Sequence, residues 1–281
     1  MTNKLQTSYN NYLRSLNEGI LNEKLFDFDD DVDFIIKESG ISDFFNDVEA
    51  GKKPYYDEIM NDEEIAFLVI KSDELKSEDA IKAHAINPIS IFIGFAKGNI
   101  GSHYNPKDKY LLASPNRSAF KTYYRKEEEL LPKFKQKTLK QDLSLNRLRY
   151  ALAHELSHWI SDSLHNSHIE KLIDRANELN KADYMKLKKH DVNMTYFEID
   201  ALVHSIKDMK RNYTQEEWDN MSLEDIMLDY TALHSVDQIL KERYGLEVSL
   251  IWQKNLIQRM HREGLLGKKM RSFYKELDLD L

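Results

Sequence analysis

The five prolines stand at positions 54, 88, 106, 115 and 132, and none follows. Proline removes an amide donor and clashes with the preceding helical turn, so the whole second half of the chain is free to run as long helices. Six of the nine glycines also precede residue 102. Turn-forming chemistry is therefore concentrated where short strands need it. These asymmetries predict an α+β fold, mainly helical, with a small antiparallel sheet. No Pro/Gly/Ser-rich linker divides the chain, and we read residues 1–281 as one domain. Within it, 1–60 form an N-terminal helical layer, 61–120 a sheet and 141–281 a helical part.

Local patterns fill in this outline. Tyr12, Leu13, Leu16, Ile20 and Leu21 fall near helical spacing, and Val32 to Ser39 reads as a second helix stopped by Gly40. Ile65–Ile70, Ile89–Phe95 and Lys109–Ala113 are short apolar or alternating runs bounded by Gly, Pro and Asn, which read as strands. Residues 122–140 are dense in Lys and Glu and read as a solvated connector. Thr214 with Glu217, and Ser222 with Asp225, have capping-box spacing, while Gly245 and Gly264 stand where helices would end.

Composition excludes several classes. With 48 acidic against 40 basic residues the net charge is -8, which argues against a nucleic-acid partner. The chain has no cysteine, so any metal must be held by His, Asp or Glu. Its polar N-terminus lacks a secretory signal, and the most continuous apolar segment, Ile89 to Ala96, is far short of the ~20 residues that span a bilayer. A cytoplasmic protein without a membrane partner is expected.

The segment Leu152-Ala-His-Glu-Leu-Ser-His-Trp-Ile160 contains HExxH, at His154, Glu155 and His158, inside an apolar stretch free of helix breakers. Residues four apart lie one turn above each other on a helix, so both imidazoles can address one ion. Glu155 sits about 100° round the helix from His154, beside the metal and able to take a proton from bound water without being a ligand. With 10 His and 23 Glu, chance alone would give the pattern in roughly 3% of shuffled chains. Its amphipathic helical setting, following a sheet, is what gives it weight.

A catalytic zinc takes three protein ligands and keeps its fourth position for water. The HExxHxxGxxH form would need Gly at 161 and His at 164, where Ser161 and Leu164 stand. Peptide deformylases use a cysteine that this chain lacks. His165 and His168 follow closely and remain possible. The better candidate is Glu198, in Tyr196-Phe-Glu-Ile-Asp-Ala-Leu-Val-His-Ser-Ile206. As a helix this segment turns Ile199, Leu202, Val203 and Ile206 to one side with Glu198 at its edge, and leaves Asp200 nearer the polar side with His204 and Lys207. Tyr230 and His234, or His204, are candidates for stabilising an oxyanion.

His154-Glu-Leu-Ser-His158 with a downstream helical carboxylate resembles the zincin metallopeptidases, specifically the glutamate-zincin branch that includes thermolysin. The resemblance covers residues 148–206. It implies a small sheet whose edge strand lines the cleft, the HExxH helix beneath it, and a second helix delivering the third ligand. It further implies zinc-dependent hydrolysis of a peptide or protein substrate, with His154, His158 and Glu198 as ligands and Glu155 as general base. In that branch a small residue often follows the ligand carboxylate. Here Ala201 follows Asp200 and Ile199 follows Glu198, which leaves Asp200 in play. Glu198-Ile-Asp-Ala201 is also faintly similar to zinc peptidases encoded by bacteriophages. The alternative is a structural or regulatory protein that keeps the fold without turnover, which has no need of a carboxylate at position 155.

Overall fold

A computed structural model describes residues 25–49, 65–95, 101–114, 145–165 and 196–276. The expected helix over 8–24 and the charged stretch 122–140 lie outside the described residues. Two helices open the described chain, α1 (Asp29–Ser39) and α2 (Ile41–Glu49). Asp29, Asp30 and Asp31 sit in the first turn of α1, where the helix dipole favours negative charge. Gly40, at φ 66°, ends it in the left-handed conformation that other residues resist.

The sheet layer follows, with β1 (Ile65–Lys71), α3 (Glu78–Ile86), β2 (Ser90–Phe95), β3 (His103–Asn105) and β4 (Tyr110–Ala113). The strand order is β1-β2-β4-β3. β1 pairs antiparallel with β2, and β3 with β4, but β2 and β4 run parallel. The expected antiparallel sheet is thus corrected to a mixed one. Alternation along Tyr110-Leu-Leu-Ala113 marks which residues face the core and is the same for either strand direction. Direction follows from the strand order: β3 lies beyond β4 from β2, and the β3–β4 hairpin returns β4 parallel to β2. Asn105 shapes that hairpin, its Oδ1 accepting from the amides of Lys107 and Asp108 at 3.0 Å each.

The remainder is helical: α4 (Leu145–Leu164), α5 (Tyr196–Lys210), α6 (Gln215–Asn220), α7 (Leu223–Asp229), α8 (Thr231–Tyr244), α9 (Leu246–Arg262) and α10 (Lys268–Glu276). Both capping boxes form as the spacing predicts, at Thr214 and Ser222. Gly245 and Gly264 follow α8 and α9 with φ of 92° and 68°. Among the described residues, no helix is long and apolar enough to cross a membrane.

α4 is the wall between two apolar cores. Leu148, Leu152, Leu156, Trp159 and Ile160 pack with Ile91, Ile93, Leu111 and Ala113 of the sheet and with Val32 and Ile35 of α1. On its other side Tyr150 joins Leu202, Val203 and Ile206 of α5, together with Trp218, Trp252 and Met260. A helix buried on both sides must settle its polar groups internally. The Ser205 hydroxyl donates to the Tyr150 carbonyl at 2.8 Å, and Arg149 reaches Asp208 at 2.8 Å and Asp33 at 2.6 Å.

The Arg149–Asp208 pair ties α4 to α5 where Asp208 is 2% exposed. Removing the cation strands a buried carboxylate, so Arg149→Leu is expected to cost about 3 kcal/mol in chemical denaturation. Arg211 also approaches Asp208, at 3.4 Å, but is 41% exposed, and Arg211→Ala should cost under ~1 kcal/mol. Equal losses in the two variants would contradict this ranking.

Candidate metal centre

The apolar residues of α4 fix its rotation against both cores, and this leaves His154 and His158 on a strip facing the first turn of α5. Their Nε2 atoms lie 3.0 Å apart. Glu198 brings Oε2 to 3.3 Å from His154 Nε2 and Oε1 to 3.5 Å from His158 Nε2. The two rings are perpendicular, with centroids 4.6 Å apart. Two ligands held at 2.0–2.1 Å on a tetrahedral ion are about 3.3 Å from one another; the imidazole pair stands at 3.0 Å, and the carboxylate meets the two rings through different oxygens at 3.3 and 3.5 Å. Among the described residues, it is the one group of three His, Asp or Glu side chains that converges in this way.

Exposure suits a working site. His154, His158 and Glu198 keep 14%, 12% and 21% of their side chains accessible, so the cluster is open to solvent on one side. Glu155 is 7% exposed. Its burial pushes its pKa up to about 7, with the charge of His154 pulling down, that of Glu198 pushing up, and an N–H from Tyr104 pulling down. Glu198 moves the other way: burial would raise it, but the adjoining imidazoles of His158 and His154 hold it well below the usual carboxylate range. Two neighbouring carboxylates are thereby split, one kept as an anion among donors and one able to exchange a proton near neutrality.

The donor set fits zinc, since two imidazoles and one carboxylate are a usual three-residue shell for that ion. An imidazole that holds an ion through Nε2 keeps its proton on Nδ1. Both Nδ1 atoms are buried without a hydrogen-bond partner among the described residues.

Asp200 does not join the cluster. Its carboxylate accepts from Arg259 Nε at 2.6 Å, an ion pair in which Arg259 is 2% exposed. The expectation of a polar side on α5 is corrected here, because α9 packs on that flank and buries it. His204 is likewise 2% exposed, its ring stacked on Phe28 at 4.6 Å and Phe26 at 6.1 Å. His165 lies at the end of α4 against Phe26, and His168 is outside the described residues. His234 is exposed and lines a separate groove with Met227, Asp237 and Gln253. Tyr230 is buried, its hydroxyl accepting from the Ser205 hydroxyl at 3.4 Å. Burial raises its pKa well above the usual phenol range, its Ser205 hydrogen bond opposes this, and the nearby charges of Glu155 and Glu198 add to the rise.

The sequence reading missed β3 as a separate strand. β2 is paired on both sides, so Gly94 lies inside the sheet, Gly101 precedes β3, and Gly98 is outside the described residues. The sheet has two edge strands, β1 and β3, and β3 adjoins α4. The Asn105-Pro106 pair after Tyr104 is a turn signal that could have marked its end. No protein-family model, curated protein or solved structure matches the chain. The reading of the centre therefore rests on its own geometry.

Purified protein is expected to bind one zinc per chain by metal analysis. His154→Ala, His158→Ala and Glu198→Ala should each lose it, while Asp200→Ala keeps it. Retention in the Glu198 variant with loss in the Asp200 variant would reassign the third ligand.

A second expectation concerns His204. Burial depresses its pKa well below the usual value, and the cations Lys207 and Arg259 add to this. The unfolded chain binds this proton below about pH 6.5 and the folded chain does not, so stability is lost as pH falls through that value. Between pH 7 and 5 this amounts to about 2 kcal/mol, measured by urea unfolding in a chelator, and His204→Phe should remove that increment. Equal pH dependence in both proteins would contradict it.

Proposed function

We propose that the chain is a zinc-dependent metallopeptidase of the glutamate-ligated type, hydrolysing peptide bonds in a peptide or protein substrate. The observation that carries this reading is the convergence of His154, His158 and Glu198 to within 3.5 Å of one another, with the buried Glu155 directly beside them. Bound zinc would supply a Lewis acid that acidifies water and polarises the scissile carbonyl.

Glu155 then does the proton work. A carboxylate with a pKa of about 7 can accept a proton from water at neutral pH and give it to the departing amine. Its burial keeps bulk water from competing for that proton. Glu198, held as an anion, completes the three-residue shell. The short edge strand β3 borders the cleft, and an extended peptide can be aligned there by main-chain hydrogen bonds.

Glutamine is nearly isosteric with glutamate and is a poor proton acceptor at neutral pH. Glu155→Gln is therefore expected to keep zinc and thermal stability while kcat on an unstructured substrate such as casein falls by roughly 1,000- to 10,000-fold. Undiminished cleavage by this variant would refute the mechanism. Absence of any cleavage by zinc-loaded wild type across a diverse peptide library would favour the non-catalytic alternative.

A further inference from the structure

The edge strand β3 has three residues and, among the described residues, pairs only with β4. So short a strand needs a second hold. Tyr104 stands opposite Leu111, so its side chain takes the face on which Leu111 is buried with the apolar residues of α4. There the phenol donates to Asp162 Oδ2 at 2.9 Å and accepts from Asn87 Nδ2 at 2.8 Å. Asn87 caps the C-terminus of α3, and its carbonyl accepts from Trp159 Nε1 at 2.9 Å. Trp159 and Asp162 are three residues apart on α4, neighbours on one face, so the ring of contacts closes on a single turn of that helix. Asp162 is also four residues beyond His158, one turn along α4. The hold on β3 therefore sits beside the metal centre.

We propose that Asp162 is a positioning residue for the substrate: it holds the Tyr104 phenol, oriented by Asn87, and so fixes the outer edge of β3 where an extended peptide pairs with it on its way across the metal centre. The inference rests on the metallopeptidase reading, in which β3 aligns the substrate, while the hold on β3 is a set of direct hydrogen bonds. Asp162 is 2% exposed and Trp159 fully buried, so water contests these bonds little. Pairing with β4 secures one side of β3, and Asp162 secures the face turned to α4. A strand freed from the second hold forms its main-chain bonds to a peptide less often. That loss weakens ground state and transition state alike, which raises KM and leaves kcat. Neither Asp162 nor Tyr104 belongs to the three-residue cluster, so zinc binding should be unaffected.

The test assays the zinc-loaded full chain on a casein-derived peptide that wild type cleaves, and on copies N-methylated at single backbone positions on either side of the scissile bond. N-methylation removes one amide donor, and at the position that pairs with β3 it should raise the wild-type KM about tenfold. Tyr104→Phe and Asp162→Ala should each raise KM for the parent peptide about tenfold, with kcat and zinc content unchanged. The same N-methylation should then cost these variants under about twofold, because the bond it removes is already lost. Asparagine keeps an acceptor oxygen for the phenol, so Asp162→Asn should stay within about threefold of wild type. Wild-type KM in both Tyr104→Phe and Asp162→Ala would overturn the proposal. So would a full N-methylation penalty in those variants, or N-methylation that costs wild type nothing at any position.

Hydrogen exchange of the β3 amides reads the hold on the strand without turnover. Exchange should quicken at least ~tenfold in Tyr104→Phe and Asp162→Ala but not in Asp162→Asn. Unaltered exchange overturns the proposal even if the enzyme is active. Quickened exchange in a chain that cleaves no peptide supports the hold on β3 while the functional reading falls.

Discussion

The structure depends on one helix being buried on two sides. α4 has no free face on which to place the usual polar residues, because the sheet takes Leu152, Leu156 and Trp159 while α5 and the C-terminal helices take Tyr150. Every charged or polar group on α4 must then find a fixed partner or a cleft. Arg149 finds Asp208 and Asp33, Asp162 finds Tyr104, and Trp159 finds the Asn87 carbonyl. His154 and His158 meet Glu198. The centre is the part of α4 whose polar groups are answered by side chains suited to a metal.

This arrangement explains why the carboxylates of Glu198 and Glu155 shift in opposite directions. Both are taken out of bulk water, and that alone raises both. Glu198 reaches across from α5 to two imidazoles and is pulled down by them. Glu155 follows His154 on α4, and its burial keeps it raised to about 7. Placement on two facing helices, one carboxylate against both imidazoles and the other not, splits the pair. The ion pairs Arg149–Asp208 and Arg259–Asp200 bracket α5 from two neighbours, which resists the axial rotation that would swing Glu198 away.

Much of this was legible in the sequence because it is local. The i, i+4 histidines, the capping boxes at Thr214 and Ser222, and the stop at Gly40 follow from helix geometry and need no tertiary information. Glu198 was legible more narrowly, from its place at the edge of an apolar stripe. What failed was whatever depends on a second neighbour. Asp200 and His204 read as a polar flank, because the approach of α9 and of the Phe26–Phe28 segment is not written in the periodicity of α5. The parallel pairing of β2 with β4 depends on how the connection passes the sheet, and β3 was hidden because three residues carry too little alternation to register.

The central claim is that three side chains from α4 and α5 form one zinc site. Anomalous diffraction at the zinc edge from crystals grown with one equivalent of zinc tests it most directly. The account predicts a single strong peak about 2.0–2.2 Å from His154 Nε2, His158 Nε2 and a Glu198 carboxylate oxygen. A peak bound elsewhere, or no peak at this cluster under saturating zinc, would contradict it.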